Sequence, residues 1–254
     1  MASKELQAAL AAARAASEVI RAFYQKSPGV RLKADASPVT EADVLSEEAI
    51  RATLIERFPD YGFYGEETGQ HAMQSDNVWL VDPIDGTKAF VREIPFFSTQ
   101  IALMRAGKLV LGVSSAPLFG ELAWAEEGGG AFLNDRPIRV SRVAALADAA
   151  ISTGNLRSAI GTPRWQRLGE LIARAGYSRG YGDFVHYHLL ARGAIEIVIE
   201  CNVNILDIAA LTVIVRQAGG TFTDLEGNAV GLGTTSVLAT NGPLHGVVLD
   251  ALTK

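Results

Sequence analysis

The stretch Trp79-Leu80-Val81-Asp82-Pro83-Ile84-Asp85-Gly86-Thr87 constrains this chain more than any other. An apolar run delivers two carboxylates that flank a proline, and the glycine and threonine that follow can open a helix. Proline fixes φ and donates no hydrogen bond, so it is expected to end the ladder of the strand that carries Asp82. The Ile84 carbonyl is then left free to join Asp82 and Asp85 as an oxygen ligand, a donor set that suits Mg²⁺. Gly86 lets the backbone approach a bound group closely, and N–H groups at a helix start suit an anion. The corner can hold hard cations and a phosphate side by side. The same residues also read as an Asp-Gly turn in which Asp85 is a simple helix cap.

A metal site needs ligands from several segments, and three further acidic positions stand in suitable settings. Glu66, in Gly65-Glu66-Glu67, follows Tyr61-Gly62-Phe63-Tyr64, which reads as a short buried strand ending in a turn. One glutamate of that pair can point inward, although adjacent glutamates are commonly solvated. Asp207 opens an apolar run, Ile208 to Ala218, closed by Gly219, and reads as the N-cap of a helix. Asp43, in Thr40-Glu41-Ala42-Asp43, has the spacing of a capping arrangement. A carboxylate there can also accept the hydroxyl proton of Thr87 if the fold brings the two together.

Together these segments resemble the inositol monophosphatase superfamily of metal-dependent phosphomonoesterases. Its signature is the Asp-Pro-Ile-Asp-Gly-Thr corner, a preceding Gly-Glu-Glu, and a later aspartate opening an apolar helix that ends in Ala-Gly-Gly, here Ala218-Gly219-Gly220. The resemblance runs in the family's order from Lys33 and Thr40-Glu41-Ala42-Asp43 to Gly220. Leu206 stands where the family usually has tryptophan, which alters an aromatic wall and leaves the ligand in place. The resemblance implies that Glu66, Asp82 and the Ile84 carbonyl hold one Mg²⁺ and that Asp82, Asp85 and Asp207 hold a second, Asp82 bridging. It implies a catalytic set of Asp43, Thr87 and Glu66, with Thr87 and Asp43 orienting a water for in-line attack. Gly86 and Thr87 would present N–H groups to the phosphate. The implied fold is α/β, a layered α/β/α/β/α sandwich, and family members are often homodimers.

Within the superfamily, Gly180-Tyr181-Gly182-Asp183 and Tyr187 to Gly193 are similar to the histidinol-phosphate phosphatases, where Gly-Asp replaces the Gly-Ser of the inositol enzymes. An acidic residue facing the leaving group suits a cationic amino alcohol, so Asp183 and Glu200 are candidate partners for its ammonium or imidazolium. For a neutral polyol they would accept hydroxyl hydrogen bonds, and Asp183 also reads as a helix cap. The expected substrate is a small phosphorylated alcohol, L-histidinol phosphate. The alternatives are an inositol-1-monophosphatase, a nucleotide 3′-phosphatase, and a non-catalytic regulatory protein. Retention of every ligand acid together with Asp43 and Thr87 argues against the last, since losing one acid is the simplest route to inactivity.

Other chemistries find little support. Cys201 is the only cysteine, so a disulfide within the chain is impossible and a buried apolar role is expected. His186 and His188 lie two apart in an expected helix and face different sides. Ser98, Ser114 and Ser115 lack the setting of a nucleophile elbow, and Gly128-Gly129-Gly130, with no Gly-Lys-Ser/Thr after it, reads as a turn. A net charge of −5 without a basic run argues against a nucleic-acid partner. No apolar run reaches membrane length, so no membrane contact and a cytoplasmic location are expected. Periodicity places helices at 4–26, 41–57, 163–175, 184–191, 208–218 and 243–252, and a strand-rich stretch at 98–140. Further strands are expected at 149–153 and 194–200. Residues 1–145 and 146–254 then form two halves of one compact unit.

Overall fold

The computed structural model describes residues 2–26, 30–32 and 38–253; Lys33 lies outside them. The chain opens with α1 (Lys4–Phe23), the short hairpin β1 (Val30–Leu32) and β2 (Pro38–Thr40), and α2 (Glu41–Arg57). There follow β3 (Gly62–Gly65), β4 (Gly69–His71), β5 (Asn77–Asp85) and the short α3 (Thr87–Val91). The strand-rich stretch resolves into β6 (Ser98–Arg105), β7 (Lys108–Ala116), β8 (Glu121–Glu126), β9 (Gly130–Leu133) and β10 (Arg136–Ile138). These eight strands from β3 to β10 make one mixed sheet, in the order β10-β9-β8-β7-β6-β5-β3-β4.

The second half contributes β11 (Ala150–Gly154), α4 (Pro163–Arg174), β12 (Tyr177–Arg179), α5 (Asp183–Ala191), β13 (Ile197–Cys201), α6 (Ile205–Gln217), β14 (Thr221–Thr223), β15 (Ser236–Thr240) and α7 (His245–Thr253). Its five strands form a second sheet in the order β12-β11-β13-β15-β14. The expected helices all form, with ends displaced by a few residues: α1 stops at Phe23 rather than residue 26, and α6 starts at Ile205 rather than at 208.

The layers follow from which side chains alternate to which face. In β5, Trp79 and Val81 point to a core shared with α1 and α2, whereas Val78 and Leu80 point to a core shared with α5 and α6. A strand covered on both faces reads as a continuous apolar run, which is why Val78 to Val81 shows no polar alternation. On the far side of the central helices, Val198, Val237 and Ala239 of the second sheet join the same central core. Ile197, Ile199 and Leu238 face outward onto Leu168 and Leu171 of α4 and Val248 and Leu252 of α7. The result is an α/β/α/β/α sandwich. α6 lies in its middle layer, and ten of its residues are buried; a helix covered on both sides has little need of a polar stripe. Among the described residues, no helix is long and apolar enough to cross a membrane.

Candidate active site

The strand that brings Asp82 does not stop there. β5 continues to Asp85, with a register shift between the two: Asp82 pairs with Gln100 of β6, and Asp85 with Ser98. Pro83 and Ile84 occupy this bulge, where the missing proline N–H costs no ladder bond. The Pro83 carbonyl accepts the Thr99 hydroxyl at 2.9 Å, and the Ile84 N–H donates to Asp82 Oδ1 at 2.9 Å. Asp82 is therefore fixed by its own turn. Gly86, next in sequence, has φ of 95° and serves as the N-cap of α3. A Cβ there would lie 2.6 Å from the Phe96 carbonyl oxygen, so conformation and space both require glycine.

Asp43 combines the two roles open to it from the sequence. It completes a capping box, its Oδ2 accepting the Thr40 N–H at 2.7 Å and the Thr40 hydroxyl at 2.6 Å. Its other oxygen, Oδ1, lies 3.1 Å from the Thr87 hydroxyl, which is also 3.0 Å from the Ile84 carbonyl oxygen. The single Thr87 proton can serve either acceptor, so the Ile84 carbonyl is free when Asp43 takes it. Burial raises the Asp43 pKa and Glu66 adds to it, while the bonds from Thr40 and Thr87 pull it back down.

Glu66 follows β3 directly. Its N–H donates to the Val81 carbonyl at 3.1 Å, extending the parallel pairing of Gly65 with Val81 by one step and setting Glu66 beside Asp82. Asp207 arrives from the opposite direction, on α6. The cap of that helix is Asn204, not Asp207: Asn204 Oδ1 accepts the Leu206 N–H at 2.7 Å. Asp207 sits three residues on, with Oδ2 accepting the Asn204 N–H at 2.9 Å and Oδ1 the Asn204 amide at 2.7 Å. This reciprocal box aims the carboxylate out of the helix start. Leu206, in the position the family usually gives to tryptophan, is buried in the central core.

Asp82, Asp85 and Asp207 bring carboxylate oxygens within 4.8 Å of one another. These three line a cavity of about 370 Å³ together with Glu66, Ile84, Gly86, Thr87 and Asp183. Burial, followed by the charges of Glu66, Asp85 and Asp207, pushes Asp82 well above the ordinary carboxylate range. Asp85 moves the same way, through burial and then Asp207, Asp183, Glu200 and Glu66. Burial raises Asp207 to about 7, against the downward pull of Asn204. Like charges crowded in such a half-buried cavity are held only at a cost unless protonated or neutralised by a cation, and an all-oxygen set of this kind suits a hard divalent ion. The group can hold a metal.

Asp183 is the first residue of α5, at φ of 46°, and burial followed by the Glu200 charge raises it to about 6. It lines the cavity, as does Asn155, which follows β11 at φ of 49°. Asn155 escapes sequence reasoning, because only its position after a strand and its tolerance of a left-handed backbone mark it. Lys88, Arg92 and Ile94 form the outer rim and are exposed. Glu200 does not line this cavity. It faces a small recess behind, of about 20 Å³, shared with Asp85, Asp183 and Asp207. Its oxygens already accept the Tyr187 hydroxyl at 2.6 Å and the Asn155 amide at 3.3 Å, and contact His186 Nε2 at 3.1 Å. His188 points elsewhere, to Glu121 at 2.8 Å and Ser114 at 2.9 Å. Cys201 is buried and unbonded to sulfur.

The sequence profile of the inositol monophosphatase family matches residues 1–254. The chain is 41% identical to a histidinol-phosphatase of Mycobacterium tuberculosis, with 99% of each covered. It is 37% identical to an inositol-1-monophosphatase of Rhizobium meliloti, over 84% of this chain and 81% of that protein. In three dimensions it superimposes on the extragenic suppressor protein suhB of Bartonella henselae with a TM-score of 0.91 at 34% identity, covering 99% of both chains.

Proposed function

This chain belongs to the inositol monophosphatase family and is a phosphomonoesterase, and from that premise we propose that it is Mg²⁺-dependent and hydrolyses L-histidinol phosphate to L-histidinol and inorganic phosphate. The observation that carries the reading is the meeting of Asp82, Asp85 and Asp207 in a cavity that a further acid, Asp183, also lines.

Glu66, Asp82, the Ile84 carbonyl, Asp85 and Asp207 are the residues that would hold the cations. Bound divalent ions supply Lewis-acid stabilisation of the phosphoryl oxygens and make water a better nucleophile near neutral pH. The chain's own groups do the rest. Asp43 takes the Thr87 hydroxyl hydrogen bond, which leaves the Thr87 oxygen free to accept from a water and hold it in line with phosphorus. The N–H groups of Gly86 and Thr87 face the phosphate, and Lys88 and Arg92 on the rim favour approach of an anion. Phosphoryl transfer relies on such positioning and charge more than on a covalent nucleophile.

Asp183 is assigned to the leaving group's cation, with Asn155 as a neutral neighbour. Glu200, bonded to Asn155 and Tyr187, adds negative charge behind Asp183 and selects for a cation through space. The identity to histidinol-phosphatase relatives supports this choice of substrate. An inositol 1-phosphate reading draws on the relatives of that name and keeps the same phosphate chemistry. Turnover of histidinol phosphate, inositol 1-phosphate and a nucleoside 3′-phosphate under saturating Mg²⁺ separates the readings. Histidinol phosphate is expected to lead in kcat/KM by at least about tenfold, the value of one charge-assisted contact. Equal rates would remove the substrate assignment and leave the phosphatase standing.

A further inference from the structure

α2 presents two buried carboxylates one turn apart, Asp43 and Glu47. The first reaches Thr87, and the second reaches the turn that follows Glu66. Glu47 is 1% exposed, and its two oxygens accept the backbone N–H groups of Glu67 and Thr68, each at 2.8 Å. Those N–H groups belong to the turn between β3 and β4 that begins with Glu66. Gly65, immediately before, leaves room for the contact: a Cβ there would overlap the Glu47 carboxylate. A buried carboxylate that clamps two successive N–H groups forms charge-assisted bonds and leaves the turn little freedom. We propose that Glu47 is a positioning residue that fixes Glu66 at the metal centre, so that one rigid helix places both Thr87 and Glu66. The inference rests on the reading of Glu66 as a metal ligand.

Glutamine at position 47 keeps one acceptor but turns an NH₂ donor toward the second N–H, which breaks half of the clamp while preserving its size. Partners that orient metal ligands change metal affinity by about 10- to 100-fold when lost. Calorimetric titration of Mg²⁺ into the full-length, metal-free protein without substrate tests the idea on wild type, E47Q, E66Q and the double variant. Thermal unfolding in chelator runs in parallel. E47Q is expected to weaken Mg²⁺ binding about tenfold, and the double variant to bind no more weakly than E66Q alone, because both changes act through one ligand. Should E47Q not fold, G65A carries the comparison, since it leaves the charge but displaces it. A lowered melting temperature with unchanged Mg²⁺ affinity overturns the proposal, as do losses that multiply in the double variant. If E66Q binds Mg²⁺ like wild type, the ligand reading itself fails, and that outcome is distinct from E47Q alone being silent.

Discussion

Asp85 is the residue on which most of the site's charge converges, since its pKa is raised by Asp207, Asp183, Glu200 and Glu66 after burial itself. Replacing it with asparagine preserves shape and removes the charge that the proposed reaction requires. Asp85→Asn should lower kcat by at least about a hundredfold, in line with removal of a group that stabilises the transition state; near-normal turnover would refute its assigned role. Asp183 makes a different prediction, because it is assigned to the alcohol rather than to phosphorus. Asp183→Asn should raise KM for histidinol phosphate about tenfold, with a much smaller effect on a neutral phosphate ester. Steady-state kinetics on both esters decides this, and equal losses on the two would assign Asp183 to the fold or the metals instead.

The elements that carry these residues are held by caps and a bulge, and here the sequence is only partly legible. The Thr40–Asp43 box, the glycine at the corner and the apolar run of β5 are local signals, and each corresponds to what forms. The continuation of β5 to Asp85 is not local: it depends on β6 offering Gln100 and Ser98 as partners across a bulge. A proline seen alone predicts a strand end, because the sequence does not display the partner that tolerates it. Asn204 likewise caps α6 three residues ahead of Asp207, the residue that the sequence pattern puts at the helix start, since apolar Ile205 and Leu206 blur the boundary. Glu47 bonds residues twenty and twenty-one positions away, which no spacing rule reaches. Asn204→Ala should cost about 1 kcal/mol of stability through loss of the cap, measured by urea unfolding in chelator. It should also weaken Mg²⁺ binding, because Asp207 loses the amide that aims it.

At the scale of the whole molecule, the site joins the two sheets and their shared helices. Glu66, Asp82 and Asp85 come from the first sheet, whereas Asp207 and Asp183 come from the central helices of the second half. Without a cation this junction gathers one buried and three half-buried acids whose folded pKa values lie above their unfolded ones: Asp207 at about 7, Asp183 at about 6, and Asp82 and Asp85 well above the usual range. The native state then binds more protons than the unfolded chain across this interval, so the slope of unfolding free energy against pH is negative. The stability these groups contribute is fully present below the unfolded carboxylate values near 4 and is lost as pH rises through the folded values, about 6 for Asp183 and about 7 for Asp207. A divalent cation replaces the protons, and its binding should release them. The chelated protein should therefore melt at progressively lower temperature as pH rises from 5 to 7.5 (about the span of the raised pKa values). Mg²⁺ should raise the melting temperature more at the upper end, because there it competes with fewer protons and binds more tightly. A chelated protein whose melting temperature is flat or rises over that interval would mean that the carboxylates do not crowd together as they do here, and the cation site would lose its electrostatic basis.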